Sequence, residues 1–474
     1  MPRRPATTDA ARKEAGRVSG RAANAAARRP GRATAPAGAP AAARGWTAVA
    51  ELFPPLDAGA QAALARLPEA LGRVRPLSAA HRRSLPEDIA ALSRALTAER
   101  ADLRRPDWSR PAFVSAYLHY FLPWNLVRLA RLFRGLPLPP PGDGPALLLD
   151  AGSGPLTVPL ALWLARPEWR HARIEVLALD SAAQPLELGR ALFAAWGDVL
   201  GEPAWPVRLA HGPLESLAAR ARPLLHAGGR PWLVTAANVL NEVRPGRGAR
   251  RGRQAEGEDG AGDGPDQLEE KLDRLLGAWA PLLAPGAPVT EDGAAAAAPA
   301  LLFVEPGTRL GGSTLMRLRE LALAGGLTAL APCTADTPCP LMRGAWCHFT
   351  FSPAGAPRWL AELSAAAGLA KRSLSLSPLL LRAGPEKESG AKPRPASAPE
   401  ARVLSSPFAV PGLAGLGRYA CAPSGLALLE DAAAVASGSL VRLGQEGSRR
   451  DARSGARIFA PPQKRTERGS KKKS

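Results

Sequence analysis

Cysteine is scarce in this chain, four in 474 residues, which excludes a disulfide framework. Methionine and tyrosine are scarcer still, three each, and aromatic residues make up only 5% of the total. No 18-residue apolar run is free of charges, so a transmembrane helix is not expected. The N-terminus lacks the compact apolar stretch of a secretory signal. Acids are short against bases, 42 against 62, for a formal net charge of +20. That shortage is uneven. Residues 1–45 and 447–474 each hold ten Lys/Arg against two acids (Asp9 and Glu14; Asp451 and Glu467), so these two tails carry +16 of the net charge. The body between them is nearly neutral and long enough for a sizeable core. Basic low-complexity tails bind polyanions such as rRNA or DNA, or only keep a protein soluble. The Ala- and Arg-rich, acid-poor N-terminus has the composition of a mitochondrial presequence. Ala, Arg, Pro and Gly abound throughout, however, as a GC-rich genome would produce. The expected compartment is the bacterial cytoplasm, with the mitochondrial matrix as the alternative.

The most informative stretch is Leu147–Leu160, LLLDAGSGPLTVPL. Three leucines run into Asp150, Gly152 and Gly154 turn the chain, and an apolar run resumes at Val158. This reads as a buried strand, a glycine turn and a helix start. Glycine lets the backbone approach a ligand closely, and a helix start offers free N–H groups. A second apolar run ends in Asp180, where an acid can accept hydrogen bonds from ribose hydroxyls. The dinucleotide fingerprint G-x-G-x-x-G fits poorly, since Thr157 stands at its third glycine. The D-x-G-x-G form, with an acid after the next strand, resembles class I S-adenosylmethionine methyltransferases. That resemblance implies a cofactor site of Asp150, Gly152, Ser153, Gly154 and Asp180, with Asn238 further on.

Around this stretch the chain divides into a disordered basic tail (1–45), a helical region (46–136), a Rossmann-like α/β domain (140–383), a linker (384–401), a small β extension (402–459) and a basic tail (460–474). Ser84 with Glu87 reads as a capping box, followed by Leu85, Ile89, Leu92 and Leu96 at helical spacing. Tyr117, Tyr120, Phe121 and Trp124 read as core or as part of a ligand box. Strands are expected at 146–150, 174–179, 231–236 and 300–305. Helices lie between them, one at 265–283, and this alternation implies a parallel sheet. Residues 244–264 and 287–299 read as exposed insertions. In such sheets ligands sit at the carboxyl ends of strands. Asn238, Asn241 and Glu242 follow one strand and Glu305 ends another. Asn238, Glu242 and Glu305 are therefore candidates to hold a methyl acceptor, or else caps.

Three of the four cysteines, Cys333, Cys339 and Cys347, lie within fifteen residues, and Cys421 follows. Four thiolates can hold zinc, although the C-x2-C pairing of zinc ribbons is absent. Four thiolates also suit a 4Fe–4S cluster, beside which a Cys-Pro step is common. A Pro-Cys nucleophile of the cytosine C5-methyltransferase kind at Cys333 or Cys339, and inert buried thiols, are the other readings. His348 is an additional ligand or a packed neighbour.

Taken in order, DAGSGP, the VEPGT turn, the PC…CPL…WCHF run and a late lone cysteine resemble one family across roughly residues 80–460. It is the family of methyltransferase-like small-ribosomal-subunit assembly factors, known from mitochondrial ribosomes, with bacterial members regarded as rRNA methyltransferases. The resemblance implies a 4Fe–4S cluster on Cys333, Cys339, Cys347 and Cys421. It implies S-adenosylmethionine at Asp150, Gly152 and Gly154, and a partner in the small ribosomal subunit and its rRNA. The sequence departs at Leu156, where a further glycine is usual and a leucine would crowd the methionine part of the cofactor. The expectation is thus an α/β protein. Its class I methyltransferase sheet is flanked by an N-terminal helical region, a cysteine-ligated metal segment and a C-terminal β extension. It is expected to be monomeric, off the membrane, and either an rRNA methyltransferase or a non-catalytic assembly factor.

Overall fold

The computed structural model describes residues 45–97, 108–240, 265–284, 298–342, 344–384, 399–413, 415–444 and 448–462. The disorder expected of the tails, the insertion at 244–264 and most of the other two loops fall outside these residues. So do Asn241 and Glu242.

The first element is a strand, β1 (Ala48–Glu51), where only helices were expected. Helices α1 (Ala58–Ala65), α2 (Leu67–Val74), α3 (Ala79–Thr97), α4 (Pro111–Ala116) and α5 (Leu122–Gly135) follow, the last two joined by a π-helical turn, Tyr117–Phe121. The capping box does not form. Helix α3 already runs through Ser84, whose hydroxyl bonds Asp88 Oδ2 at 3.2 Å within the helix. The apolar spacing nevertheless does its work, and Leu85, Ile89 and Leu92 are buried.

The α/β part follows as β2 (Ala146–Ala151), α6 (Thr157–Ala165), β3 (Ile174–Asp180), α7 (Ala183–Leu200), β4 (Val207–His211), α8 (Leu217–His226), β5 (Arg230–Ala237), α9 (Pro265–Leu283), β6 (Ala300–Pro306), α10 (Arg309–Ala324), β7 (Leu327–Ala331), β8 (Phe349–Phe351), α11 (Arg358–Ala366) and β9 (Leu374–Ala383). All four expected strands are present, and α9 spans the expected helix. The sheet order is β4-β3-β2-β5-β6-β9-β7, with β8 also paired to β9. Strands β4, β3, β2, β5 and β6 are mutually parallel, and β9 runs antiparallel between β6 and β7. The expected parallel α/β sheet is thus present in its first five strands, but β9 and its neighbours make the whole sheet mixed. Its strands are continuous apolar runs because both faces are covered. Leu148, Val176, Leu233 and Leu302 belong to one core, while Leu147, Leu149, Val234, Leu301 and Phe303 belong to the other.

The N-terminal helices close the first of these cores. Trp196 of α7 donates its indole N–H to Ala63 O (3.1 Å), and Trp359 donates to Leu64 O (3.2 Å). Arg131 of α5 donates to Phe53 O (2.6 Å), Pro54 O (3.1 Å) and Ser352 O (2.5 Å), satisfying carbonyls that would otherwise be buried unpaired.

The C-terminal part holds β10 (Glu400–Val403), β11 (Phe408–Ala409), β12 (Leu416–Ala422), β13 (Gly425–Leu429), β14 (Ser439–Arg442) and β15 (Arg457–Phe459). They form a second sheet in the order β1-β14-β10-β12-β13-β15, with β11 on β12. Strand β1 therefore extends the C-terminal sheet from the far end of the chain, a pairing that no local pattern announces.

Candidate functional site

Strand β2 lies between β3 and β5, the point where the winding of the sheet reverses. Ligands bind outside the carboxyl ends of strands at such a point. Asp150 ends β2 there and is fully buried. Thr235, its in-register neighbour on β5, donates Oγ1 to Asp150 Oδ1 at 2.6 Å, and Ser153 donates Oγ to Oδ2 at 2.6 Å. Burial outweighs these two bonds and pushes the Asp150 pKa up to about 7. Asp150 thus lies beneath the turn and braces it.

The two glycines differ. Both have positive φ, +69° at Gly152 and +52° at Gly154. A Cβ on Gly152 would lie 2.1 Å from Val239 Cγ1, so Val239 packs where any side chain would be. Around Gly154 nothing lies within 4 Å of the equivalent point, so this side of the turn is open. Gly152→Ala should therefore destabilise the protein by about 2–4 kcal/mol, from left-handed strain plus overpacking. A lowered urea midpoint would show it; an unchanged midpoint would mean Val239 moves freely.

Asp180, at the end of β3, is half-buried beside the open glycine. Its Oδ2 accepts the Gly154 N–H at 2.9 Å and its Oδ1 accepts the Ala182 N–H at 2.9 Å. Two sequence-expected residues are thus joined across 26 positions, and an acid beside an open glycine suits a ribose. Leu156 does not crowd this side. It adopts φ +54°, is wholly buried, and turns its side chain under the helix start against Gly189. Its backbone begins α6 with no side-chain cap.

Asn238 leaves β5 with φ +61° and donates its N–H to Val304 O at 2.8 Å. Its half-buried side chain sits at the same edge. Glu305 is fully buried, and its Oε1 accepts the Leu240 N–H at 2.9 Å. That bond makes it a cap for the β5 exit, with its carboxylate directed inward.

The aromatics read as core or ligand box divide between the two. Tyr120 and Trp124 are core, bonded to Leu369 O (3.1 Å) and Ser364 Oγ (3.0 Å). Tyr117 is different: from the π-helical turn its hydroxyl faces the side chains of Thr157, at the start of α6, and Asn125.

The cysteines converge on a separate face. All four are free and half-buried. Cys347 lies within electrostatic reach of the other three, as Cys421 does of Cys333 and Cys339. Burial pushes Cys421 up to about 12 and raises the other three. Arg319, a residue the sequence did not flag, donates its Nε to Cys333 Sγ at 3.1 Å. Arg402 bonds the adjoining Pro332 carbonyl at 3.2 Å. The Thr334 hydroxyl reaches Cys421 O at 3.5 Å, tying this segment to β12. His348 stacks on Trp346 with ring centres 5.0 Å apart. Among the described residues no three His, Cys, Asp or Glu side chains stand so as to hold a metal ion. The expected cysteine-ligated metal segment is therefore not supported, although the four thiols gather on one face. No described helix is long and apolar enough to cross a membrane.

Residues 288–372 match the Rsm22 family. The family is described as mitochondrial small ribosomal subunit Rsm22. The match is to the kind of family the sequence resembles, and it runs from the approach to β6 through α11, over Cys333, Cys339 and Cys347. No curated protein matches. Among solved structures, the chain is similar to CrArsM, an arsenic(III) S-adenosylmethionine methyltransferase from Chlamydomonas reinhardtii. The identity is 15% over 57% of this chain and 76% of that one, with a TM-score of 0.26. It is also similar to the rRNA methyltransferase aviRa from Streptomyces viridochromogenes, at 17% identity over 38% of this chain and 73% of that one, with a TM-score of 0.22.

Proposed function

We propose that the protein is an S-adenosylmethionine-binding, methyltransferase-like factor of the small ribosomal subunit. The Rsm22 match at residues 288–372 carries the ribosomal half of this reading. The cofactor half is supported by the Asp180–Gly154 contact at the switch point and the open space over Gly154. The cofactor would supply an electrophilic methyl group. The protein's own part is to hold ribose on Asp180 and to keep the acceptor in line, where positioning alone lowers the barrier. Asn238 is the described candidate to orient an acceptor. Glu305 is committed to the Leu240 N–H, which leaves it a supporting role. Mass spectrometry of small-subunit rRNA from a deletion strain tests catalysis: a lost methyl group identifies an enzyme. Full methylation, with immature subunits accumulating, would leave the assembly-factor reading.

The four thiols are proposed to ligate a 4Fe–4S cluster. Their donor set is all sulfur, which suits such a cluster, and Arg319 and Arg402 place positive charge beside it. Among the described residues no three such side chains stand so as to hold a metal ion, zinc or iron alike. The family match is consistent with the mitochondrial alternative.

The basic tails are proposed to contact rRNA phosphates. Affinity for small subunits should then fall steeply with salt. Removing residues 1–45 should flatten that dependence and leave the melting temperature unchanged. An unchanged salt slope would make the tails solubilising appendages.

A further inference from the structure

Tyr117 links the uncapped start of α6 to Arg128, a cation with no carboxylate partner among the described residues. Arg128 projects from α5, half-buried, with its Nε shielded from solvent and without a partner. Its Nη2 donates to Asn125 Oδ1, and Asn125 is itself buried. The titratable groups within its electrostatic reach are the phenols of Tyr117 and Tyr120, uncharged at neutral pH, and Lys371, and no carboxylate is among them. Lys371 stands at the solvent rim, its Nζ 5.7 Å from the centre of the Tyr120 ring. Lys371 also lies in the field of Arg128, so two like charges share one mouth. Asp180, the nearest acid to Tyr117, has already given one oxygen to each of two backbone N–H groups. A helix start adds partial positive charge to the same place. Such an arrangement is costly when empty and becomes favourable when a compact anion enters.

We propose that Arg128, the Tyr117 hydroxyl and the start of α6 form the site for the amino-acid carboxylate of the cofactor, with Lys371 at its rim. This inference rests on the cofactor reading above and assigns the end of the ligand opposite the ribose. Tyr117 makes the assignment specific. Tyr117 lies within reach of Arg128 and also of Asp180 and Thr157. The ribose acid and the anion site therefore share one neighbouring side chain. A guanidinium fork matches a carboxylate with two parallel bonds, which an ammonium does not. The N-terminal helices thus do more than cover the sheet, since α5 and the π-helical turn complete the cofactor site.

The test is calorimetry on the full chain with two ligands, S-adenosylhomocysteine and 5′-methylthioadenosine, which keeps the nucleoside and thioether but lacks the amino acid. Wild type should bind the first at least about tenfold more tightly. Arg128→Gln should erase that difference while leaving 5′-methylthioadenosine affinity unchanged, and Arg128→Lys should restore only part of it. Lys371→Met, at an exposed position, should fold normally and lower the preference about threefold, which carries the test if Arg128→Gln does not fold. An equal loss for both ligands in Arg128→Gln would overturn the inference, as would an undiminished preference. So would unchanged nucleoside binding with weakened binding of an rRNA fragment, which would make this a phosphate site. Failure of wild type to bind either nucleoside would overturn the cofactor reading along with it.

Discussion

As pH rises from about 4 to 7, wild type should lose stability relative to Asp150→Asn. Burial raises the Asp150 pKa from the ordinary 3.8 to about 7, so the folded protein favours the protonated acid. A raised folded pKa contributes stability that is complete below the unfolded value and is lost as pH rises through the folded one. Relative to the variant, wild type should therefore lose up to about 4 kcal/mol between pH 4 and pH 8, the cost of about three pKa units. Asparagine keeps the acceptor for Thr235, offers Ser153 an N–H in place of the oxygen it donates to, fills the same space and cannot ionise. Burial lowers the His119 pKa to about 4, which raises the stability of both proteins as pH rises, so the test is the difference. The gap between the two urea midpoints should shift against wild type from pH 5 to pH 8. Parallel losses in the two proteins would show that Asp150 ionises without cost, and that the bonds from Thr235 and Ser153 outweigh its burial.

The second large effect is expected at Cys421. Protein purified without oxygen should contain iron and sulfide in equal amounts and absorb broadly in the near ultraviolet and visible. Cys421→Ser should lose most of that iron. Because Cys421 lies on β12 while the other three cysteines lie between β7 and β8, the variant should also lose the stability that ligation lends to the junction of the two sheets. Several kcal/mol, seen as a large fall in melting temperature, is the expected scale, since metal-binding energy becomes folding energy. One equivalent of zinc without iron would contradict the cluster assignment. So would full iron in the Cys421→Ser variant.

The sheet was legible wherever a strand is buried on both faces. The runs ending at Asp150, Asp180, Ala237 and Pro306 are nearly unbroken apolar sequence, and all four are central and parallel. Strand β4 was not legible, because it sits at the sheet edge with Arg208 and His211 outward. Strand β9 hid behind Ser375, Ser377 and Pro378, residues that argue against a central strand. Its pairing to β6 places Pro378 opposite Val304 all the same. The site was legible in part. Asp180 and Gly154 were found because a sequence spacing encodes the strand–turn–helix that joins them. Tyr117 stayed open between core and ligand box, and Arg128 carries no such signal: an arginine on an amphipathic helix looks like surface until α5 is packed on α6. Glu305 shows the opposite limit, an acid in the right position for chemistry whose carboxylate is held by the Leu240 N–H.

The central claim is that this sheet edge binds S-adenosylmethionine, and Asp180 is its most direct probe. Titration calorimetry of the anaerobically purified wild type should show a single binding event. Asp180→Ala should weaken it by about 1–3 kcal/mol, as charge-assisted hydrogen bonds to ribose are lost and the Gly154 turn is released. Absence of binding by wild type, or equal affinity in the two proteins, would contradict the account.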